Sequence, residues 1–264
     1  MIYPEFKVCV RCFTYNHSKF IRDAMDGFTM QRTDFPFVCC IVDDASTDGE
    51  QQVIYNYLIE NFNLFDDNIA FKKDTQYAEI IYAQHKINKN CYFAVLFLKD
   101  NLYSKEESYK KYNYIKEWLN GCEYESLCEG DDYWIDSNKL QIEVNFLDDN
   151  PNYSICSHRV LKYDQDSKVF YKDVFDRLFK DQIGIKYNSR SDIWLSETCS
   201  VVYRLSADEE YNNYPYTTRD NIHVYYLLKK GLRMCLNNTM GGYRQHEGGI
   251  YAKRNVQEKM VDGC

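Results

Sequence analysis

Over the first 60 residues the apolar pattern changes period repeatedly. Residues 7–13 form a short β-rich run that ends in the polar cluster Thr14-Tyr15-Asn16-His17-Ser18. Phe20, Ile21, Ala24, Met25 and Phe28 then recur at spacings of three and four, which predicts an amphipathic helix with Ser18 as its cap. Residues 37–42 are continuously apolar between Pro36 and Asp43, the pattern of a strand buried on both faces. A polar loop over 43–49 follows, and Val53, Ile54, Tyr57, Leu58 and Phe62 mark a second helix. Strand, helix, strand, helix predicts an α/β fold with a mainly parallel sheet flanked by helices.

Beyond this opening the pattern is less regular. Residues 61–90 are polar and read as an insertion, with a short helix expected around 77–87. Strands are expected at 92–98, 124–128, 153–157 and 199–203, and helices at 106–120, 138–147 and 220–230, the last ended by Gly231. Residues 162–190 show no clear period, and Tyr243-Arg244-Gln245-His246 falls in what reads as a tail.

Composition narrows the class. At 264 residues the chain can bury a large core, and a net charge of −8 without a long basic run argues against nucleic acid as a partner. The N-terminus lacks the basic and apolar regions of a signal peptide, and no apolar run reaches membrane-spanning length, so a cytoplasmic protein is expected. The 11 cysteines fit that expectation as small buried hydrophobes, as Cys39-Cys40 within 37–42 illustrates. Cys9 and Cys12 are spaced as a metal pair, but in a strand residues three apart face opposite sides of the sheet. The 25 tyrosines suit packing and sugar stacking equally, so they decide nothing.

Three polar clusters directly follow predicted strands: Thr14 to Asn16, Asp43-Asp44, and Glu129 to Asp132. In a parallel α/β sheet, ligands gather beyond the carboxyl ends of strands, so all three should rise on one edge. Asp66-Asp67 and Asp148-Asp149 follow helices instead and read as surface. Closely spaced carboxylates repel unless a cation lies between them, so Glu129, Asp131 and Asp132 form a candidate cradle for Mg²⁺ or Mn²⁺, ions that commonly bridge to a diphosphate. The chain has neither a Gly-x-x-x-x-Gly-Lys-Ser/Thr loop nor a Gly-x-Gly-x-x-Gly turn after a strand. A nucleotide would therefore be held by metal and side chains.

Three segments together, Val10-Arg11-Cys12-Phe13-Thr14-Tyr15-Asn16, Ile41-Val42-Asp43-Asp44-Ala45-Ser46-Thr47-Asp48-Gly49 and Glu129-Gly130-Asp131-Asp132-Tyr133-Trp134, resemble the family 2 glycosyltransferases. The resemblance is close over about residues 5–158 and looser to about 250. It implies a GT-A fold with a Rossmann-like nucleotide-binding core, and one domain over 1–264. Residues 1–160 would hold the nucleotide-sugar, with 61–90 as an insertion, and 161–264 would supply the acceptor site and the base. It also implies that Thr14, Tyr15, Asn16, Asp43 and Asp44 hold the base and ribose of a nucleotide-sugar, a UDP-sugar by preference. Asp131 and Asp132 would bind Mn²⁺ or Mg²⁺, with Glu129 acting through water or the ribose because it stands where the family has Asp. Asp220 matches the catalytic base, though an aspartate opening a helix also serves as a cap. His246, in a Tyr-Arg-x-His segment, would complete the metal or diphosphate site, while His17, His85, His158 and His223 carry no assigned role.

The implied reaction is an inverting, metal-assisted transfer of a sugar to a hydroxyl of a glycan or a lipid-linked saccharide. A lipid-linked acceptor would bring the chain to the inner face of the membrane. Two alternatives stay open. A nucleotidyltransferase pairs carboxylates and metal similarly, but it wants a glycine-rich basic loop after the first strand. A non-catalytic nucleotide- or sugar-binding module would release no nucleotide from a donor.

Overall fold

The computed structural model describes residues 3–171, 183–185, 197–207 and 220–249. Its first strand, β1 (Val8–Thr14), leads through helix α1 (Ile21–Thr29) to β2 (Phe37–Asp43) and helix α2 (Glu50–Asn61). The hairpin β3 (Ala70–Asp74) and β4 (Ala78–Gln84) comes next, then β5 (Cys91–Leu98), α3 (Tyr109–Leu119), β6 (Tyr124–Leu127), the two-residue β7 (Tyr133–Trp134) and α4 (Lys139–Asp149). The second half adds β8 (Tyr153–Asp164), β9 (Val169–Tyr171), β10 (Ile183–Ile185), a 3-10 turn at Thr198–Ser200, β11 (Val201–Arg204), α5 (Asp220–Lys230) and β12 (Leu232–Gln245).

One mixed sheet runs through the described residues in the order β10-β12-β8-β11-β6-β1-β2-β5-β4-β3. The four central strands β6, β1, β2 and β5 are mutually parallel, and β2 and β5 carry the continuous apolar runs of strands covered on both faces. Towards the edges the pairing is mostly antiparallel: β11 against β6 and β8, and β4 against β5 and β3. With helices packed on it, this is a Rossmann-like α/β arrangement.

Period-2 alternation sorts the central side chains between two cores. Val10, Cys12, Cys39, Ile41, Phe93 and Val95 join α1, α2 and α4 on one face. Cys9, Val38, Cys40, Val42, Ala94 and Leu96 join α3, with Trp118 buried, on the other. Cys9 and Cys12 thus lie on opposite faces, and every cysteine among the described residues is free. Each fully buried Val, Leu, Ile or Phe contributes about 1.5–3 kcal/mol, so these two layers dominate stability. Gly27 lets α1 sit on β7: a Cβ there would lie 2.9 Å from the Trp134 amide nitrogen.

Four expectations are corrected. Residues 77–87 form no helix. Ala78, Ile80 and Tyr82 face one core while Ile81 and Ala83 face the other, so this apolar stretch is a strand buried on both sides, and 61–90 extends the sheet. Ser18 does not cap α1. The His17 carbonyl accepts the Phe20 and Ile21 amides, and the Ser18 amide instead donates to Asp48 at 2.9 Å. The segment read as a tail is the last part of β12, fourteen residues running parallel to β8 with register shifts near Leu236 and Thr239. The strand expected at 153–157 continues to Asp164. Among the described residues, no helix is long and apolar enough to cross a membrane.

Candidate functional site

From β1 the chain steps to β2 and β5 on one side of the sheet, then returns by way of α3 to β6 on the other. The crevice between the carboxyl ends of β1 and β6 is therefore a topological switch point, where open α/β sheets bind ligands. Thr14 is in register with Asp43, and the Gly130 amide donates to the Phe13 carbonyl at 3.2 Å. All three polar clusters stand on this one edge.

The loops after β1 and β2 are laced together by side-chain bonds to backbone. The Asn16 amide donates to the Ser46 hydroxyl (2.8 Å), the Thr47 amide to Asn16 Oδ1 (2.8 Å) and the Ser46 amide to Asp43 Oδ2 (3.2 Å). Asn16 and Ala45 both take left-handed backbone, φ 58° and 60°, which asparagine accommodates more easily than alanine. Asn16 thus ties two loops together, while the Tyr15 ring beside it is exposed.

The two aspartates after β2 differ sharply. Asp43 is fully buried, and Gln51 donates to its Oδ2 at 2.5 Å. Its Oδ1 has no hydrogen-bond partner among the described residues, and burial raises its pKa. Asp44 turns into the fold. The Leu102 amide (2.7 Å), the Tyr103 amide (3.1 Å) and Lys111 Nζ (3.0 Å) occupy its two oxygens.

After β6, Gly130 passes so close to β1 that a Cβ there would lie 2.1 Å from Thr14 Oγ1 and 3.2 Å from His17 Nδ1. Next, β7 pairs with β12 at Gly241 and Gly242, which carries the end of β12 up beside residues 131–132. Asp131 Oδ2 lies 3.1 Å from His246 Nε2 and 3.7 Å from His17 Nε2. One ligand atom from each of these three residues falls within 4.8 Å of the others, which makes a group able to hold a metal ion. Burial pushes the Asp131 carboxyl up, but the hydrogen bond with His246 and the neighbouring His17 hold it below the usual range. Burial lowers the His17 pKa.

Asp132 and Glu129 lie outside this group. Asp132, which the resemblance puts on the metal with Asp131, is not among the three grouped residues. Its buried Oδ1 accepts the Arg244 amide at 2.8 Å and pins β12. Burial and the charge of Asp131 raise the Asp132 pKa well above the carboxylate range. Glu129 is half-buried, and its charge helps hold up the pKa of Arg11. Asp220 opens α5, but its side chain lies outside the described residues.

Sequence reasoning missed two residues. His17 stands three positions after Thr14, and nothing marks one histidine in a loop until Asp131 and His246 arrive beside it. Glu50 follows the Asp43 loop and reads as an ordinary first-turn glutamate. It is in fact fully buried behind Thr14, and burial raises its pKa to about 7. Alongside the group, Arg244 bonds Asp23 at 2.7 Å and is stacked between Phe20 and Tyr133, 4.6 and 5.0 Å from their ring centres.

No protein-family model matches the chain. It is 31% identical over 245 residues to uncharacterized proteins of Mycobacterium tuberculosis and Mycobacterium bovis. That match takes in 90% of this chain and 58% of the relatives, so the chain spans little more than half their length. Among solved structures it resembles residues 1–349 of TarS from S. aureus, with a TM-score of 0.61 at 19% identity over 90% of this chain and 60% of that one. TarS in complex with UDP-GlcNAc matches with the same TM-score of 0.61 at 18% identity, over 95% and 62% of the two chains. A mannosyltransferase from Pyrobaculum calidifontis, in complex with GDP-Man and Mn²⁺, matches with a TM-score of 0.54 at 13% identity, over 98% and 61%. The chain shares its fold with these proteins.

Proposed function

We propose that this protein is an inverting glycosyltransferase of the GT-A type, moving a sugar from a nucleotide-sugar, a UDP-sugar by preference, to a hydroxyl of a glycan or lipid-linked saccharide. The observation that carries this reading is the meeting of His17, Asp131 and His246 at the switch point of the sheet, within 4.8 Å of one another. Structures of the same fold holding UDP-GlcNAc, or GDP-Man with Mn²⁺, support it.

The donor set fits a metal. Two imidazole nitrogens and one carboxylate favour a transition ion such as Mn²⁺ over Mg²⁺, which prefers oxygen ligands throughout. Bound there, a divalent cation would neutralise charge on the departing diphosphate. Asp43 Oδ1, buried without a partner, suits an N–H of the nucleotide base, since an unmatched buried acceptor costs about 1–3 kcal/mol. The exposed Tyr15 ring, in the loop after β1, would supply a stacking face. Thr14 and Asn16 act by shaping the loop, Asp44 by holding 102–103, and Asp132 by holding β12.

Asp220 takes the role of base. It accepts the acceptor hydroxyl's proton as that oxygen bonds the anomeric carbon and the bond to the diphosphate breaks, inverting the configuration. An open cavity of about 750 Å³, lined by Asp23, Asp26, Tyr133, Tyr163, Phe170 and Arg244, offers the mix of aromatic faces and charged groups that sugars bind. An acceptor bound there would lie between residues of the first half, such as Asp23 and Tyr133, and Tyr163, Phe170 and Arg244 of the second.

The test is nucleotide release from a panel of UDP-, GDP- and dTDP-sugars with Mn²⁺, Mg²⁺ or EDTA, with and without saccharide acceptors. Release from one donor, abolished by EDTA, is expected. A chain that binds nucleotide without metal and never turns over would be a binding module instead.

A further inference from the structure

Three donors converge on the buried carboxylate of Glu50, at the start of α2. The Thr14 hydroxyl donates to Oε1, while the His17 amide and the Ser46 hydroxyl, each at 2.8 Å, donate to Oε2. With its carboxylate ionised, as at the pH 8 of the test below, Glu50 can only accept, so the Thr14 proton points at it. Toward His17 the threonine oxygen then offers only lone pairs, and His17 Nδ1 lies 3.2 Å from it. The ring must therefore donate there. A neutral imidazole carries one N–H, and with that proton on Nδ1 its Nε2 is a bare lone pair. Nε2 is the nitrogen that faces Asp131, at 3.7 Å.

We propose that Glu50, acting through Thr14, is a positioning residue that holds His17 in its Nδ1–H tautomer and so makes His17 Nε2 a third metal ligand beside Asp131 and His246. The inference rests on the metal-binding reading given above. Gly130 supplies an independent constraint. A side chain there would collide with Thr14 Oγ1 at 2.1 Å and crowd His17 Nδ1 at 3.2 Å, so its absence lets the hydroxyl and the imidazole close up behind Asp131.

Glu50→Gln tests the relay without changing its shape. The His17 amide and the Ser46 hydroxyl still require an acceptor, so the glutamine oxygen takes the place of Oε2 and its NH₂ group faces Thr14. Thr14 must then accept from that amide and donate to Nδ1, and the ring proton moves to Nε2, which has to give it up before it can bind a metal. Two measurements on the full chain at pH 8 read this out. Mn²⁺ alone is titrated by the electron paramagnetic resonance of the free ion, and ring protonation is read from long-range ¹H–¹⁵N correlation spectra of the metal-free protein.

The expected result is an Nδ1–H tautomer for His17 in the wild type and an Nε2–H tautomer in Glu50→Gln. Mn²⁺ affinity should fall by about 10–100-fold in Glu50→Gln and in Thr14→Val, and Thr14→Ser should restore it. An Nε2–H tautomer in the metal-free wild type would overturn the proposal, even if a substituted chain failed to fold. Glu50→Gln and Thr14→Val binding Mn²⁺ like the wild type, while Asp131→Asn loses it, would sink the relay and leave the metal site standing. Unchanged Mn²⁺ binding in Asp131→Asn would remove the metal reading, and the third ligand with it.

Discussion

His246 Nε2 stands 3.1 Å from Asp131 Oδ2, a contact between residues 115 positions apart in the chain. It forms because β7, directly after Asp132, pairs with β12 at Gly241 and Gly242, so the strand that ends at Gln245 delivers its next residue to the acidic turn. The candidate metal group is thus assembled from both ends of the fold, and its parts can be tested separately.

Asp131 and Asp220 should fail differently. Asp131→Asn removes a ligand and should weaken Mn²⁺ binding by at least about 100-fold, taking metal-dependent nucleotide binding with it. Asp220→Asn should leave nucleotide affinity near wild type while turnover falls by about 10²–10⁴-fold. Calorimetry with UDP and Mn²⁺ beside a turnover assay separates the two, and an Asp220→Asn enzyme with full activity would exclude this residue as the base.

Gly130 is required for space. A Cβ would fall 2.1 Å from Thr14 Oγ1 and 2.6 Å from Thr14 Cβ, both fixed against β1. Gly130→Ala should therefore cost about 1–3 kcal/mol of stability and reduce Mn²⁺ affinity by pushing Thr14 and His17 out of line. Urea unfolding together with a Mn²⁺ titration checks this, and a variant unchanged in both would show that the loop has room.

Asp44 is predicted to act through the fold. Its carboxylate holds the buried Lys111 ammonium at 3.0 Å, so Asp44→Ala should destabilise by about 3–5 kcal/mol by stranding that charge. The double variant Asp44→Asn/Lys111→Met should recover much of the loss, because charge and partner leave together. If chemical denaturation found Asp44→Ala as stable as the wild type and only nucleotide affinity fell, Asp44 would be a donor contact.

Glu143 should leave a signature in the pH dependence of stability. Burial raises its carboxyl from 4.5 to about 7, although Lys139 Nζ lies only 3.0 Å away. The folded state therefore binds this proton more tightly than the unfolded chain, and stability falls as pH rises between those two values. Relative to Glu143→Gln, the wild type should lose about 3 kcal/mol between pH 4.5 and 7 and change little above that. Urea unfolding of both proteins across this range is the measurement, and a constant difference between them would reject the assignment.

What was legible in the sequence followed from local period. Continuous apolar runs marked β2 and β5, spacings of three and four marked α1 to α4, and polar clusters directly after strands marked the edge where Thr14, Asp43 and Asp131 meet. These signals are local because a strand or helix exposes its period within a few residues. Period failed in β4, where an apolar stretch of a few residues between Glu79 and Gln84 is too short to separate helix from strand. It failed again where a strand is irregular, as in β12.

The sequence by itself determined that carboxylates would gather at the ends of parallel strands, because the strand-helix-strand order implies parallel pairing and puts the carboxyl ends of the strands on one edge. Only the tertiary structure decided which of those carboxylates face the crevice. Asp44 was claimed by Lys111 and Asp132 by the Arg244 amide, because buried donors must find acceptors and the nearest ones were these. The same packing brought His17 and His246 to Asp131 and set Glu50 behind Thr14, a grouping made by strand pairing between distant segments, which leaves no local trace in the order of residues.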